Sequence, residues 1–574
     1  MFTEHMLLKT IVRTLWHGKP AEKTVTKTFL NLLPLSLPLA VFILSFLAFF
    51  PALQSGFVHL SDDDVLIQNP YYRGLSWHNL RWMFTTFYMG DYRPLTWLTY
   101  AIDYKMWGIS PFGYHLTSLF LHAVNSVLFY FVAVRLLSLT FSVSAVFTDV
   151  TMRFPAAFAA FVFAIHPLRS EAVAWISARG HLLAALFFLL TIISYLRATC
   201  TATPSFQKRV WLVLALILYI LSVLSQPNVI ALPLILLILD VYPSRRLGNG
   251  ATKWFTPQFR TILWEKASFF VVALAAGFVG LIAKNQTSPS SEALDLMRRL
   301  FLTAYGLAFY GTKTLVPSNL SPGYEIRFHF DPLDQPFLVS AVAILAISVV
   351  LFAIRNRWPA GLASWLYYLL VLVPYVGFLL PVVGNVENGR LITPDRYSYI
   401  ACFPLSLLAG GSLYICWATW RQRQRFGRFL LSSLAVAAVA ISLLSLTWRQ
   451  TGFWHDSYSL WKHAVDVTHR SRFKSLNAHN GLGIALAEQN KFDEAIAQFS
   501  EALRIGPNFA KTHNNLGIVL AERGSLDEAI IEFLQALRIT PDYAQAHYNL
   551  GVALHRQGKT EEANVQFSLA QQHQ

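Results

Sequence analysis

Three consecutive acids, Asp62, Asp63 and Asp64, follow Ser61 shortly after an apolar run that ends near Leu53, and Asn69-Pro70 comes next. Adjacent carboxylates repel one another. Beside a low-dielectric slab they are costly unless a cation, a proton or a hydroxyl compensates. A carboxylate held there can take the proton from a hydroxyl as it attacks an activated carbon. A solvated loop with a helix N-cap is the bland alternative.

The following segments keep the same character. Asp91-Tyr92-Arg93-Pro94, Asp103-Tyr104 and Gly113-Tyr114-His115 precede His166-Pro167-Leu168-Arg169-Ser170-Glu171, with Trp175 and Arg179 beyond. Such a density of Asp, Arg, His and aromatic residues does not fit a connector. Arg93 and Arg179 can each hold a phosphate bidentately, and Tyr92 or Trp175 can stack on a sugar ring. An ion pair buried between loops is the competing role for each arginine.

These residues sit between segments that must lie in lipid. With 55% hydrophobic residues, 13% charged residues and a mean hydropathy of +0.44, the chain would expose more apolar area than water tolerates. Twelve apolar stretches of spanning length recur, the first at 29–51 and the last at 429–447. The net charge of +15 comes from Lys and Arg clustered between those stretches. That pattern fits loops held in the cytoplasm and gives no nucleic-acid partner. Requiring the basic clusters near Lys266 and Arg355 to share a side demotes 298–316 to an amphipathic interfacial helix, leaving about eleven crossings. Residues 1–28 are then cytoplasmic, 29–51 is an uncleaved signal-anchor, and the loop 52–112 and everything after Thr447 lie outside. The cysteines, Cys200, Cys402 and Cys416, form no disulfide framework or metal spacing.

The C-terminus carries a repeat. Gly483, Gly517 and Gly551 are 34 apart, as are Leu482, Leu516 and Leu550, and Ala495, Ala529 and Ala563. This is the tetratricopeptide pattern, with repeats at 477–510, 511–544 and 545–574. Residues 448–476 form a connecting helical region in which 453–470 stands in for the second helix of a degenerate unit. Asn515 and Asn549 share a groove-facing repeat position where an amide can bond an extended peptide backbone. The first repeat has Gly481 there. His479, His513 and His547 also recur, which is repeat register rather than metal spacing.

Taken in order, DDD…NP, YRPLTWL, YHLTSLFLHAVNSVL, HPLRSEAVAWISAR, LPLILLILDVYPSRR and PDRYSY, followed by the repeats, resemble one family. It is that of the transmembrane and tetratricopeptide-repeat O-mannosyltransferases and their bacterial relatives, of the GT-C class. The resemblance implies an all-α chain: a polytopic membrane bundle at 29–447 followed by an α-solenoid at 477–574. It also implies a polyprenyl-phosphate-linked sugar as donor, Ser or Thr of proteins as acceptor, and catalysis outside the cytoplasm. Carried over residue by residue, it places the catalytic base at Asp63, with Asp62 next, in the motif that includes Asp64. Glu171 orients the acceptor or acts as a catalytic acid, with His166 beside the substrate. Asp395, Arg396 and Tyr397 match a third motif, and Arg396 joins Arg93 and Arg179 on the donor phosphate. Metal dependence stays open, since three acids can bind Mg²⁺ or Mn²⁺ but show no closed ligand set. Two charges usual in bacterial relatives are missing at Ala178-Arg179-Gly180-His181 and Gln226-Pro227. The style of the motifs leans toward a bacterial inner membrane, with the endoplasmic reticulum membrane as its eukaryotic counterpart. An envelope glycan or lipid as acceptor, and a non-catalytic membrane-anchored scaffold, are the competing readings.

Overall fold

The computed structural model describes residues 35–141, 151–200, 203–246, 256–287, 295–327, 330–376, 390–392, 394–423, 426–469 and 475–573. The segment expected at 1–28 lies outside them, as do the first residues of the first apolar run. The chain is all-α, a helical bundle followed by a repeat solenoid. Among the described residues the only strands are β1 (Glu325–Arg327) and β2 (Arg390–Ile392), antiparallel with Ile326 opposite Leu391.

Five helices are long and apolar enough to cross a membrane: Pro111–Phe141, Ile176–Ala198, Ser205–Ser225, Gln335–Ala353 and Ser433–Gly452. Two bent pairs reach that length together, Arg153–Ala164 with Pro167–Ala174 (57°) and Asp395–Ala401 with Phe403–Thr419 (51°). Shorter apolar helices are Leu35–Ala48, Pro227–Val241, Ala267–Ala283 and Pro359–Leu372. Leu296–Leu315, expected in the interface, is not among these candidates. Its Arg298, Arg299 and Lys313 dilute an otherwise apolar helix, which buries only one face through Leu302, Leu307 and Tyr310.

Small residues let the central helices approach. Ala156, Ala159 and Ala160 are fully buried, and Phe403 stacks on Phe129 (4.7 Å) and meets Phe163 edge-on (4.9 Å). Outward, Val339, Val342, Leu345, Val349 and Phe352 of Gln335–Ala353 are exposed. A continuous apolar stripe of this kind is stable only against lipid or another apolar surface.

Six further helices, from Leu476–Glu488 to Thr560–Gln572, form three antiparallel pairs. The 34-residue spacing has a steric cause. A Cβ at Gly483, Gly517 or Gly551 would come within 2.6, 2.6 and 2.7 Å of the rings of Phe499, Phe533 and Phe567. Each recurrent histidine ties the two helices of its repeat: His479 to Gln498 (2.8 Å), His513 to Glu532 (2.6 Å) and His547 to Gln566 (2.7 Å). Before the first pair, helix Ser457–His469 buries Trp461, Ala464 and Val465 against Ala478 and Leu482.

Candidate active site

Beyond the first helix the chain passes through a short turn (Phe50–Gln54) and runs extended beside helix Ser457–His469. Gly56 N donates to His455 O (2.8 Å), His59 N to Ser457 Oγ (2.9 Å), and Trp461 Nε1 to His59 O (3.2 Å). The acidic triplet follows at the mouth of a single π-turn, Asp63–Ile67, closed by Gln68 N on Asp63 O (2.7 Å). Wide turns of this sort interrupt regular hydrogen bonding and re-aim side chains.

The three acids face different partners. Asp62 is buried and acts as a knot: Oδ1 accepts from Ser177 N (3.1 Å) and Ser177 Oγ (2.5 Å), and Oδ2 from Val58 N (3.2 Å). Burial pushes its carboxyl up to about 6. Asp63 is 21% exposed and its Oδ2 takes the hydrogen bond of His59 Nδ1. Asp64 is exposed; desolvation first, and then the neighbouring Asp63, raise its carboxyl above the usual range. A divalent cation needs convergent oxygens. These carboxylates diverge, and among the described residues no group of three His, Cys, Asp or Glu forms a metal set.

Two broken helices supply the rest. At the first break, Pro167 lacks an N–H and cannot continue helix Arg153–Ala164. His166 caps the new turn through Leu168 N (3.3 Å), while its Nε2 lies 3.0 Å from Thr314 O. Both ring nitrogens are thus committed, so His166 positions the break rather than facing substrate. Glu171 then reaches the second break, accepting from Asp395 N (2.7 Å) and from the Arg396 guanidinium. Arg396 lies over the rings of Trp175 (4.7 Å) and Tyr397 (5.4 Å).

Residues 175–177 join these parts. Trp175 carries Arg396, Ser177 carries Asp62, and Ser177 O accepts from Arg93 (3.3 Å), which also lies over Trp97 (5.3 Å). Around them several buried polar atoms lack partners: Arg93 Nε, both nitrogens of His181, Gln226 Oε1, Asn228 Oδ1 and Asp395 Oδ1. The His181 ring stacks on Tyr397 (5.9 Å), which in turn meets Tyr375 (5.2 Å), whose hydroxyl donates to Pro227 O (3.0 Å). The two sequence departures meet here: a Cβ at Gly180 would lie 2.8 Å from Gln226 Oε1, so the bare glycine makes room for the longer amide. Buried polar groups without partners are uncommon.

Arg179 is elsewhere. It is fully buried, 2.5 Å from Asp103, with hydrogen bonds to Tyr114 O (2.8 Å) and Ser118 Oγ (3.3 Å), and lies over the Tyr100 ring (4.6 Å). Its charge is neutralised by Asp103 and its donors are engaged within the fold, the ion-pair arrangement that competes with the expected phosphate contact. Tyr92 stays on the rim, its hydroxyl donating to Phe84 O (3.0 Å). Asn515 and Asn549 are half-buried, and each gives an amide hydrogen to the preceding repeat: Asn515 to Asn480 (3.2 Å) and Asn549 to Asn514 (2.9 Å). Asn480 and Asn514 share the neighbouring repeat position and serve as acceptors, while Gly481 leaves the first repeat without an amide in the row of Asn515 and Asn549.

Sequence reasoning missed Ser177, His59 and Arg169. His59 stands four residues before Asp63, a spacing that pairs side chains across one turn. Arg169, fully buried over the rings of Phe163 (5.3 Å) and Tyr399 (5.5 Å), lies within the quoted motif but had been given no role. Ser177 carries no signal by type or spacing.

A family model described as TPR repeat matches residues 483–522 and 519–558. Over most of its length the chain is similar to protein O-mannosyl-transferases: Tmtc3 of Drosophila melanogaster (26% identical over 469 residues, 72% of this chain and 48% of that protein), TMTC1 of Homo sapiens (26% over 516 residues, 80% and 54%) and F38B6.6 of Caenorhabditis elegans (22% over 421 residues, 73% and 54%). The chain spans about half the length of these curated relatives.

Proposed function

We propose that this chain is a multi-pass membrane glycosyltransferase. On this reading it moves a hexose, mannose or a close relative, from a polyprenyl-phosphate carrier to Ser or Thr hydroxyls of polypeptides. Catalysis takes place at the non-cytoplasmic surface of a bacterial inner membrane or its counterpart.

The observation that carries the reading is the contact of one short segment, residues 175–177, with a buried acid and two arginines. The names of the relatives supply the chemistry. Asp63 is the base because it is reachable and is held by the His59 ring, whereas Asp62 is occupied in holding the loop. The Asp63 carboxylate takes the hydroxyl proton as the oxygen attacks the anomeric carbon. The bond to the carrier's phosphate breaks, its electron pair stays on the phosphate, and the anomeric centre inverts. A lipid phosphate leaves readily. Charge stabilisation by Arg396 and Arg93 therefore suffices on the leaving side. His181, Gln226 and Asn228 offer neutral hydrogen-bonding groups suited to sugar hydroxyls. The repeats hold the acceptor polypeptide near the loop and raise its effective concentration.

The test is transfer of radiolabelled mannose from undecaprenyl-phosphate mannose to Ser/Thr peptides by the full chain in nanodiscs. Asp63→Asn should abolish transfer with unchanged thermal stability. Retained transfer, or no transfer by the wild type from any of a panel of polyprenyl-phosphate hexoses, would overturn the reading.

A further inference from the structure

Helix Leu476–Glu488, the first of the repeats, is fastened to the membrane domain at both ends. At its start, Glu325 on β1 accepts from Ser475 Oγ (2.5 Å), Leu476 N (3.0 Å) and Asn477 N (2.8 Å). A carboxylate from a distant loop thus satisfies N–H groups that a helix start leaves open. At its end, Glu488 Oε1 stands 2.7 Å from His59 Nε2. An anion at a helix C-terminus is disfavoured by the outward-pointing carbonyls. The His59 ring compensates it.

That ring has a carboxylate on each nitrogen, Asp63 at Nδ1 and Glu488 at Nε2. It can donate to both only as an imidazolium. The hydrogen bond the ring donates to Asp63, and then that to Glu488, raise its pKa to about 10, so the charge persists at neutral pH. The main chain beneath it is also tied, at N by Ser457 and at O by Trp461. The charged groups facing the ring are Asp63 from its own loop and Glu488 from the repeat; helix Ser457–His469 presents only neutral Ser457 and Trp461. The opposite end of the same repeat helix rests on β1. Its partner strand β2 leads within four residues to Asp395 and Arg396. One helix therefore touches the acidic loop directly and is linked to the Asp395 loop through the β1–β2 pair.

We propose that the repeat array is a working part of the catalytic centre: Glu488 holds the His59 ring, and the ring fixes the Asp63 carboxylate toward the acceptor. His59 and Glu488 are positioning residues. The inference rests on Asp63 being the base, and its test separates the two.

In the full chain in nanodiscs, with undecaprenyl-phosphate mannose and Ser/Thr peptides, Glu488→Gln should lower kcat about tenfold and leave the donor KM unchanged, because a misaimed base costs rate rather than donor affinity. Glu488→Asp should restore most of the rate. Glu494→Gln, an exposed acid on the next helix, should change nothing. With one of its two anions gone, His59 gives up its proton more easily, so the alkaline limb of the rate profile should move to lower pH in Glu488→Gln. His59→Gln combined with Glu488→Gln should be no worse than either alone. Hydrogen–deuterium exchange at residues 56–63, which needs no substrate, should speed up in Glu488→Gln. Unchanged exchange overturns the clamp. Faster exchange with kcat and alkaline limb unmoved overturns the positioning role. Faster exchange in a wild-type background that transfers no sugar supports the clamp and counts against the functional reading alone.

Discussion

Two buried polar networks lie toward opposite ends of helix Arg179–Ala198, at His181 and Tyr195, fourteen residues and therefore about 21 Å apart along its axis. At the far end Tyr195 donates to Asp240 (2.8 Å), Lys266 pairs with Asp240, and Arg246 links Asp240 (3.0 Å) to Glu265 (2.8 Å), which Lys208 also meets (2.7 Å). Each carboxylate there faces two cations. At the near end, Arg93 pairs only loosely with Asp91 (3.9 Å), and His181, Gln226 and Asn228 leave polar atoms unpartnered. The same ingredients thus make a closed ion-pair network in one place and leave several polar atoms open in the other. Charge content alone does not mark a site.

Four substitutions test that contrast. Asp63→Asn should have the largest consequence, a loss of roughly 10²–10⁴-fold in sugar transfer with little change in melting temperature. If stability fell instead, the near end would be another closed network. Lys266→Met should do the reverse. It removes one of the two cations on buried Asp240, leaving Arg246, and should destabilise by about 1–3 kcal/mol, read by thermal unfolding in detergent, with the surviving folded fraction still active. Arg396→Lys keeps the charge but loses the planar stack on Trp175, so kcat/KM should drop about tenfold. The smallest effect is on pH dependence. The folded chain holds the Asp62 proton more tightly than the unfolded chain, with its pKa raised from 3.8 to about 6. The stability this contributes is complete below the unfolded value and is lost as pH rises through about 6. Melting temperature should therefore decline over that window in the wild type, and the decline should flatten in Asp62→Asn.

Much of this was legible in the sequence, and what was not has a common cause. Hydropathy runs and the 34-residue period follow from solvent and from helix packing, both local in sequence, so the bundle and the solenoid could be read directly. The acidic triplet stood out because three charges beside an apolar run demand an explanation. The division of labour within it was hidden, since it depends on Ser177 and His59, which lie in or against other elements. The partner of Arg179 was hidden for the same reason. Asp103, a helix away in the fold, takes up its charge, and no spacing rule joins the two positions. The strands β1 and β2 escaped because three-residue pairings carry too little periodicity to register.

The double attachment of helix Leu476–Glu488 has a consequence for substrate choice. A superhelical groove attached to the loops at Glu325 and His59 is held at a set distance from Asp63. A polypeptide threaded along that groove would present hydroxyls at one set offset from its bound stretch. The modified residues would then be selected by how far along the chain they lie, with local sequence a lesser influence. The molecule would measure its client as a ruler does.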